Sequence, residues 1–220
     1  MRLQGLVGTP PRLLTGRAFV LLNQEGRGLL VKLSADKKLP AMGTSVAVVG
    51  TLKFDTRELP YLSMAKSDLL SVLNQSASSS VRQIPWLAPG AEDAWSLVSA
   101  TGTVQSISGS TISLLVEDAE ISAKIKSGVP YRASRLKKGD EVIVTGVLDM
   151  SSEKPALLPR TADEIRLLAH ASTKTESVAA EKPHGLPGWT PFGAAIGAIG
   201  AIEGVKKLRK VGKKKAAVRA

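Results

Sequence analysis

Gly43-Thr-Ser-Val-Ala-Val-Val-Gly50-Thr-Leu52 and Gly139-Asp-Glu-Val-Ile-Val-Thr-Gly146-Val-Leu148 are near-copies of one another. Each sets valines at alternate positions between two glycines, the period of a strand with one buried face. The correspondence extends outward from them: Gly5-Leu-Val7 matches Gly102-Thr-Val104, Pro60-Tyr-Leu62 matches Pro155-Ala-Leu157, and Asp68-Leu-Leu70 matches Asp163-Glu-Ile165. One small β unit therefore occurs twice. Turn residues break the first copy into strands at 2–7, 18–22, 29–33, 45–52 and 61–64. The second breaks at 98–105, 111–116, 119–125, 141–148 and 156–158, with Glu117-Asp118 in a hairpin turn.

Composition narrows the chemistry. The chain has 220 residues, enough for two units of roughly 70–80 residues with modest cores. It has no cysteine, which removes disulfides and thiolate metal sites, and its only histidines are His170 and His184. No cofactor or metal is expected. The net charge of +11 is unevenly placed: residues 1–75 carry +5, residues 76–171 carry −1 and residues 172–220 carry +7, with eight Lys or Arg between Lys206 and Arg219. The second unit is not basic.

Five strands, a short link before the fourth and the pattern Gly-x-x-Val-x-Val-x-Gly resemble the OB-fold, a small Greek-key barrel. The resemblance covers about residues 1–73 and 95–168, and a generic pair of β-sandwich or barrel repeats is the alternative. The resemblance implies that the first glycine ends the link and the second lets strand four bend as the barrel closes, where a Cβ would obstruct. The spacing from Gly139 to Gly146, with Leu157-Leu-Pro-Arg160 and Asp163-Glu-Ile-Arg-Leu-Leu168, is similar to tandem OB modules of bacterial membrane-anchored cell-surface proteins, without their lamin-tail-type segment. The expected class is thus all-β: two tandem five-stranded OB-fold barrels plus a C-terminal transmembrane helix. The expected boundaries are 1–74 for the first barrel, 75–94 for a linker, 95–170 for the second barrel, 171–185 for a second linker, 186–205 for the helix and 206–220 for a basic tail.

OB-folds take ligands on the face of strands two and three. Alternation points Ile112, Leu114, Val116, Ile121, Ala123 and Ile125 inward, and Thr111, Ser113, Ser122, Lys124 and Lys126 outward. In the first unit Phe19, Leu21, Leu29, Val31 and Leu33 point inward, and Val20, Leu22, Leu30 and Lys32 outward. Lys32 and Lys124 fall at matching positions, and with Arg17, Arg27, Lys53 and Lys126 they are the candidates for neutralising nucleic-acid phosphates. Ordinary solvated lysines are the competing reading. Of eight aromatics, none lies outward on these strands; Phe54 and Tyr61 are nearest, with core or rim packing expected for both. The outward Val20, Leu22 and Leu30 form an apolar patch suited to the second barrel, the linker or another protein, and Trp86 of Ile84-Pro-Trp-Leu87 could serve that patch.

No nucleophile–base pairing or Gly-rich phosphate loop is present, so no enzyme is expected. The partners expected are single-stranded nucleic acid, DNA above all, or a protein, with barrels as structural or interaction spacers in the second case. The uncharged stretch 186–202 is at the lower edge of the ~17–25 residues that span a bilayer, with Trp189 toward one end and the basic cluster beyond the other. Gly193-x-x-x-Gly197 and Gly200-x-x-x-Gly204 allow close helix approach and a homodimer. A soluble Ala/Gly helix with a nucleic-acid-touching tail is the alternative. Basic end inside, the barrels lie outside the cytoplasm, a placement that needs an export signal Met1-Arg-Leu-Gln does not show; a complete N-terminus and a helix that does not span would leave them cytoplasmic.

Overall fold

The structure is a computed structural model that describes residues 1–14, 16–35, 37–73 and 78–171. The expected C-terminal helix, its glycine-spaced dimer contact and the basic tail lie outside the described residues. Among the described residues no helix is long and apolar enough to cross a membrane.

Strands dominate. The first sheet contains β1 (Arg2–Val7), β2 (Ala18–Leu22), β3 (Gly28–Lys32), β4 (Ser45–Val49), β5 (Thr51–Phe54), β6 (Pro60–Ser63) and β7 (Leu70–Val72). The second contains β8 (Leu97–Ser108), β9 (Thr111–Val116), β10 (Ala119–Lys124), β11 (Glu141–Asp149), β12 (Ala156–Leu158) and β13 (Ile165–Ala169). In the second sheet β8, β9, β10, β12 and β11 follow one another and β11 returns to β8, closing a five-stranded barrel in which β10 and β12 run parallel. This is the Greek-key barrel of the OB type. The first sheet runs β5-β6-β3-β2-β1-β4-β7 with β3 and β6 parallel. Its order repeats that of the barrel once β4 and β5 are taken as one strand interrupted at Gly50.

The repeated glycines explain that interruption. A Cβ at Gly50 would lie 2.8 Å from the carbonyl oxygen of Ser63, and one at Gly146 would lie 2.7 Å from that of Leu158. At both sites strand four changes partner. Val142–Val144 of β11 pair with β13, whereas Val147–Asp149 pair with β12; β4 pairs with β7, and β5 with β6. The expected continuous strand 45–52 is therefore two strands. The outer strands β7 and β13 were not expected at all: Ile165 is the only buried residue in either, so neither shows an alternating pattern.

The inward assignments hold. Val7, Phe19, Leu21, Val31, Leu33, Val46, Val48, Leu62 and Met64 form the first core. Ile112, Leu114, Val116, Ile121, Ala123 and Ile125 join Val142 and Val144 in the second. Ile84 and Trp86, in the stretch read as linker, are buried in that second core. Trp86 consequently does not serve the apolar patch of the first unit.

Candidate nucleic-acid interface

Register places the side chains on the outer face of the first sheet. Lys53 pairs with Tyr61, Tyr61 with Leu30, and Leu30 with Val20; residues opposite one another in a sheet share a face. Because Phe19, Val31 and Leu62 fill the core, this row faces outward. Lys32, two residues beyond Leu30, lies on the same face, and its ammonium sits 3.8 Å from the centroid of the Tyr61 ring. Cation and ring attract one another there by about 0.5–1 kcal/mol.

Part of that face is covered. Val20, Leu22 and Leu59 pack with Ala94, Trp95, Leu97 and Val147, and Leu6, Leu14, Leu30 and Met150 border them. The outward apolar patch thus meets the second sheet. Trp95, not Trp86, is the tryptophan that fills it. Its position is held from several sides. Arg82 Nη1 donates to Asp93 Oδ1 at 3.0 Å and to Ser96 Oγ at 3.1 Å, Trp95 N donates to the Leu148 carbonyl at 2.7 Å, and Leu97 N donates to the Gly26 carbonyl at 2.8 Å. Trp95 has φ 64°, left-handed backbone that a bulky residue adopts only under constraint. Across the seam, Arg160 Nη1 donates to the Gly8 carbonyl at 3.2 Å while its guanidinium pairs with Glu164, both side chains largely buried.

At the seam's edge a cavity of about 340 Å³ opens. Arg17, Lys32 and Lys126 line it together with Asp55, Asp149 and Ser151; Leu14, Leu30, Leu33 and Trp95 supply apolar wall. No salt bridge or side-chain hydrogen bond engages Arg17 or Lys126 among the described residues. Lys53 is exposed on β5, on the adjoining face. Four of the six candidate cations, Arg17, Lys32, Lys53 and Lys126, thus fall on the cavity or the strip that leads to it.

The other two lie elsewhere. Arg27 is exposed on the β2–β3 turn with Glu25 at 3.6 Å. Lys124 is half-buried at the end of β10, on a face that it shares with a paired acid and neutral serines. There Glu120 accepts from Ser113 Oγ at 2.9 Å and pairs with Lys154 at 3.8 Å. Tyr61 is half-buried at the rim, as expected, but Phe54 is 62% exposed because β5 runs past the end of the core. Asp55, Asp149, Ser151 and Trp95 were not anticipated. The available signal was an aspartate soon after the second glycine of each repeat.

No protein-family model matches the chain, and no curated protein does. Solved structures similar to it include a murine DNA-binding protein bound to double-stranded DNA, at 12% identity over 80% of this chain and 99% of that one, TM-score 0.36. The HINa domain of Ifi202 in complex with 20-bp duplex DNA is another, at 11% identity over 76% of this chain and 94% of that one, TM-score 0.29.

Proposed function

We propose that the protein is a non-enzymatic, tandem OB-type binding protein that holds a nucleic-acid strand, DNA above all, along the outer face of β5, β6 and β3. The observation that carries this reading is the row Lys53–Tyr61–Lys32 leading to the cavity lined by Arg17 and Lys126. Cations interleaved with an aromatic ring are what a single strand requires. The charges neutralise phosphates and a base stacks on the ring, worth about 1–3 kcal/mol per base. Stacking at Tyr61 outweighs the lysine–ring contact of about 0.5–1 kcal/mol, so an arriving base displaces the Lys32 ammonium toward a phosphate. The first sheet serves as the second OB barrel of the pair in this reading.

Membrane tethering through residues 186–205, with the barrels extracytoplasmic, belongs to the same proposal. It rests on the sequence pattern alone, and fractionation of cells expressing the chain with and without residues 186–220 tests it; a full-length chain found in the soluble fraction refutes it. For binding, full-length protein is titrated with a labelled single-stranded oligonucleotide at low and high salt. Tyr61→Ala and Lys53→Glu are each expected to weaken it about tenfold, the value of one stacking or one reversed phosphate contact. Unchanged affinity in both variants refutes the strip.

One observation favours a second reading, a structural or protein-interaction module. The β2–β3 part of the face, where an OB barrel ordinarily takes its ligand, is buried under Trp95. Binding without salt dependence, or none at low salt, is the outcome that selects it.

A further inference from the structure

We infer that the seam cavity seats one unpaired nucleotide unit, a flat ring with its phosphate, so that the protein prefers single strands to duplex. This rests on the proposed nucleic-acid reading and shares Lys32 and Leu30 with the strip, but its test residue, Lys126, lies in the cavity and not on the Lys53–Tyr61 row. The volume, about 340 Å³, lies at the lower end of small-ligand pockets, roughly 300–1,000 Å³. A pocket of that size can take a single nucleotide. The walls divide by chemistry. Leu14, Leu30 and Trp95 give a flat ring an apolar surface, while Arg17, Lys32 and Lys126 supply three positive charges against the two negative charges of Asp55 and Asp149.

The two carboxylates have a use in this arrangement. Asp149 Oδ1 accepts from Ser151 N at 2.9 Å and from Ser151 Oγ at 2.5 Å, and Asp55 Oδ1 accepts from Arg57 N and Leu59 N, both at 2.9 Å. Each carboxylate is therefore fixed through one oxygen. The other, Oδ2, has no hydrogen bond among the described residues and can accept from an amino or imino edge. In a duplex those edges are already paired, and extracting a base costs a few kcal/mol. An unpaired nucleotide avoids that cost. Trp95 is also well suited to be a fixed wall: the hydrogen bond to Leu148 and the packing of Gly28 hold it in a backbone conformation it would not keep alone.

Lys124 and Lys126 make a charge-matched comparison two residues apart: Lys126 lines the cavity and Lys124 does not. Full-length wild type, Lys126→Glu and Lys124→Glu are titrated with AMP by calorimetry. By fluorescence anisotropy they are titrated with a short single-stranded oligonucleotide and with the same sequence as a blunt duplex. The expected result is that AMP binds wild type and Lys124→Glu but not Lys126→Glu. Single-strand affinity should fall about tenfold in Lys126→Glu, as for one lost and reversed phosphate contact, with the duplex affected far less. AMP binding to wild type that is lost in Lys126→Glu assigns the pocket to free nucleotides as well as strands; oligonucleotide binding without AMP binding, the former weakened in Lys126→Glu, assigns it to a nucleotide within a strand; AMP binding retained in Lys126→Glu overturns the inference. Equal losses for Lys124→Glu and Lys126→Glu, or equal affinities for single strand and duplex, overturn the inference. If Tyr61→Ala and Lys53→Glu still weaken strand binding while Lys126→Glu does not, the strip stands and the cavity falls. If none of the variants changes binding, both readings fall.

Discussion

Gly28 opens β3 directly beneath Trp95, and replacing it with alanine tests whether the two sheets are held together as described. A Cβ there would lie 1.8 Å from the Trp95 carbonyl oxygen, 2.4 Å from its carbonyl carbon and 2.9 Å from Val20 Cγ1. The closest contact must open to at least 3.0 Å. Because the nearest obstacles are backbone, no rotamer change clears them; the 95–97 segment has to lift from β3. That segment is tied to Leu148 on one side and to Gly26 on the other, so lifting it also strains hydrogen bonds of 2.7 and 2.8 Å. A radial gap of about 1 Å forfeits roughly a quarter to a half of a dispersion contact. Val20, Leu22, Trp95 and Leu97 face the gap, and full burial of each is worth about 1.5–3 kcal/mol. The expected loss is therefore about 2–4 kcal/mol, reaching past the roughly 1–3 kcal/mol usual for overpacked sites, offset slightly by about 0.4–1 kcal/mol from the stiffer unfolded chain. Urea unfolding followed by tryptophan fluorescence and by far-ultraviolet circular dichroism measures it. Gly128→Ala is the control: no atom lies within 4 Å of its Cβ, so its stability should stay within about 0.5 kcal/mol of wild type. A Gly28→Ala protein equally close to wild type would refute packing of the sheets through Trp95.

The buried Arg160–Glu164 pair that reaches Gly8 predicts that Arg160→Ala costs about 3 kcal/mol, because it leaves an unpaired carboxylate; Arg160→Met with Glu164→Leu should cost less, as a double-mutant cycle in urea would show. Asp140 accepts the backbone N–H groups of Lys137 at 2.8 Å and Ala171 at 3.0 Å. These bonds, with a smaller contribution from His170, hold its carboxyl below the ordinary value of 3.8 against the opposing effect of burial. A depressed carboxylate stabilises fully above its unfolded value and loses that contribution as pH falls through the folded one. Asp140→Asn should accordingly be less stable than wild type at neutral pH, with the gap closing below 3.8; a gap independent of pH in urea titrations would refute the assignment. For strand binding, each phosphate contact adds about −0.7 to the slope of log K against log salt. Lys53→Ala should flatten that slope by about this amount, and Lys124→Ala should leave it unchanged.

Alternating valines were enough to find strand four in both units, and the flanking glycines were enough to find where it bends, since a Cβ at Gly50 or Gly146 strikes backbone. Edge strands were harder. Leu70–Val72 and Ile165–Ala169 bury almost nothing, and a strand held by backbone hydrogen bonds at a sheet edge leaves no periodic imprint on its side chains. The matching pairs Asp68-Leu-Leu70 and Asp163-Glu-Ile165 marked their starts without marking their conformation. The site was legible in part for a related reason. Lys32 could be placed by alternation, because a strand fixes where its side chains point, whereas Lys53 falls one residue past the expected strand 45–52. Asp55 follows the end of β5, Asp149 is the last residue of β11 and Trp95 stands before the entry to β8, and what brings them to one cavity is the docking of one sheet on the other. Ile84 and Trp86 show the same limit from the other side: their neighbours Pro85, Pro89 and Gly90 read as linker, yet both side chains are buried.

The docking itself follows from how the two copies diverged. Their backbones share strand order, but the face of β2 and β3 carries Val20, Leu22 and Leu30, whereas the face of β9 and β10 carries Ser113, Leu115, Ser122 and Lys124, with Glu120 engaged by Ser113 and Lys154. The apolar face of the first copy accepts Ala94, Trp95, Leu97 and Val147 of the second. Such a contact uses two different surfaces, and a head-to-tail contact of this kind propagates without limit unless its free end is blocked. The polar, partly ion-paired face of β9 and β10 is the block. It offers no apolar seat of the kind that Val20, Leu22 and Leu30 make in the first copy. Leu115, 41% exposed among these polar neighbours, is the one residue through which that block could be weakened. Replacing Ser113 and Ser122 with valine beside it should convert the face to the apolar type. Concentration-dependent association in sedimentation velocity is then expected for this variant alone; a monodisperse variant would mean that the shape of the Trp95 segment, and not the polarity of the β9–β10 face, sets the limit.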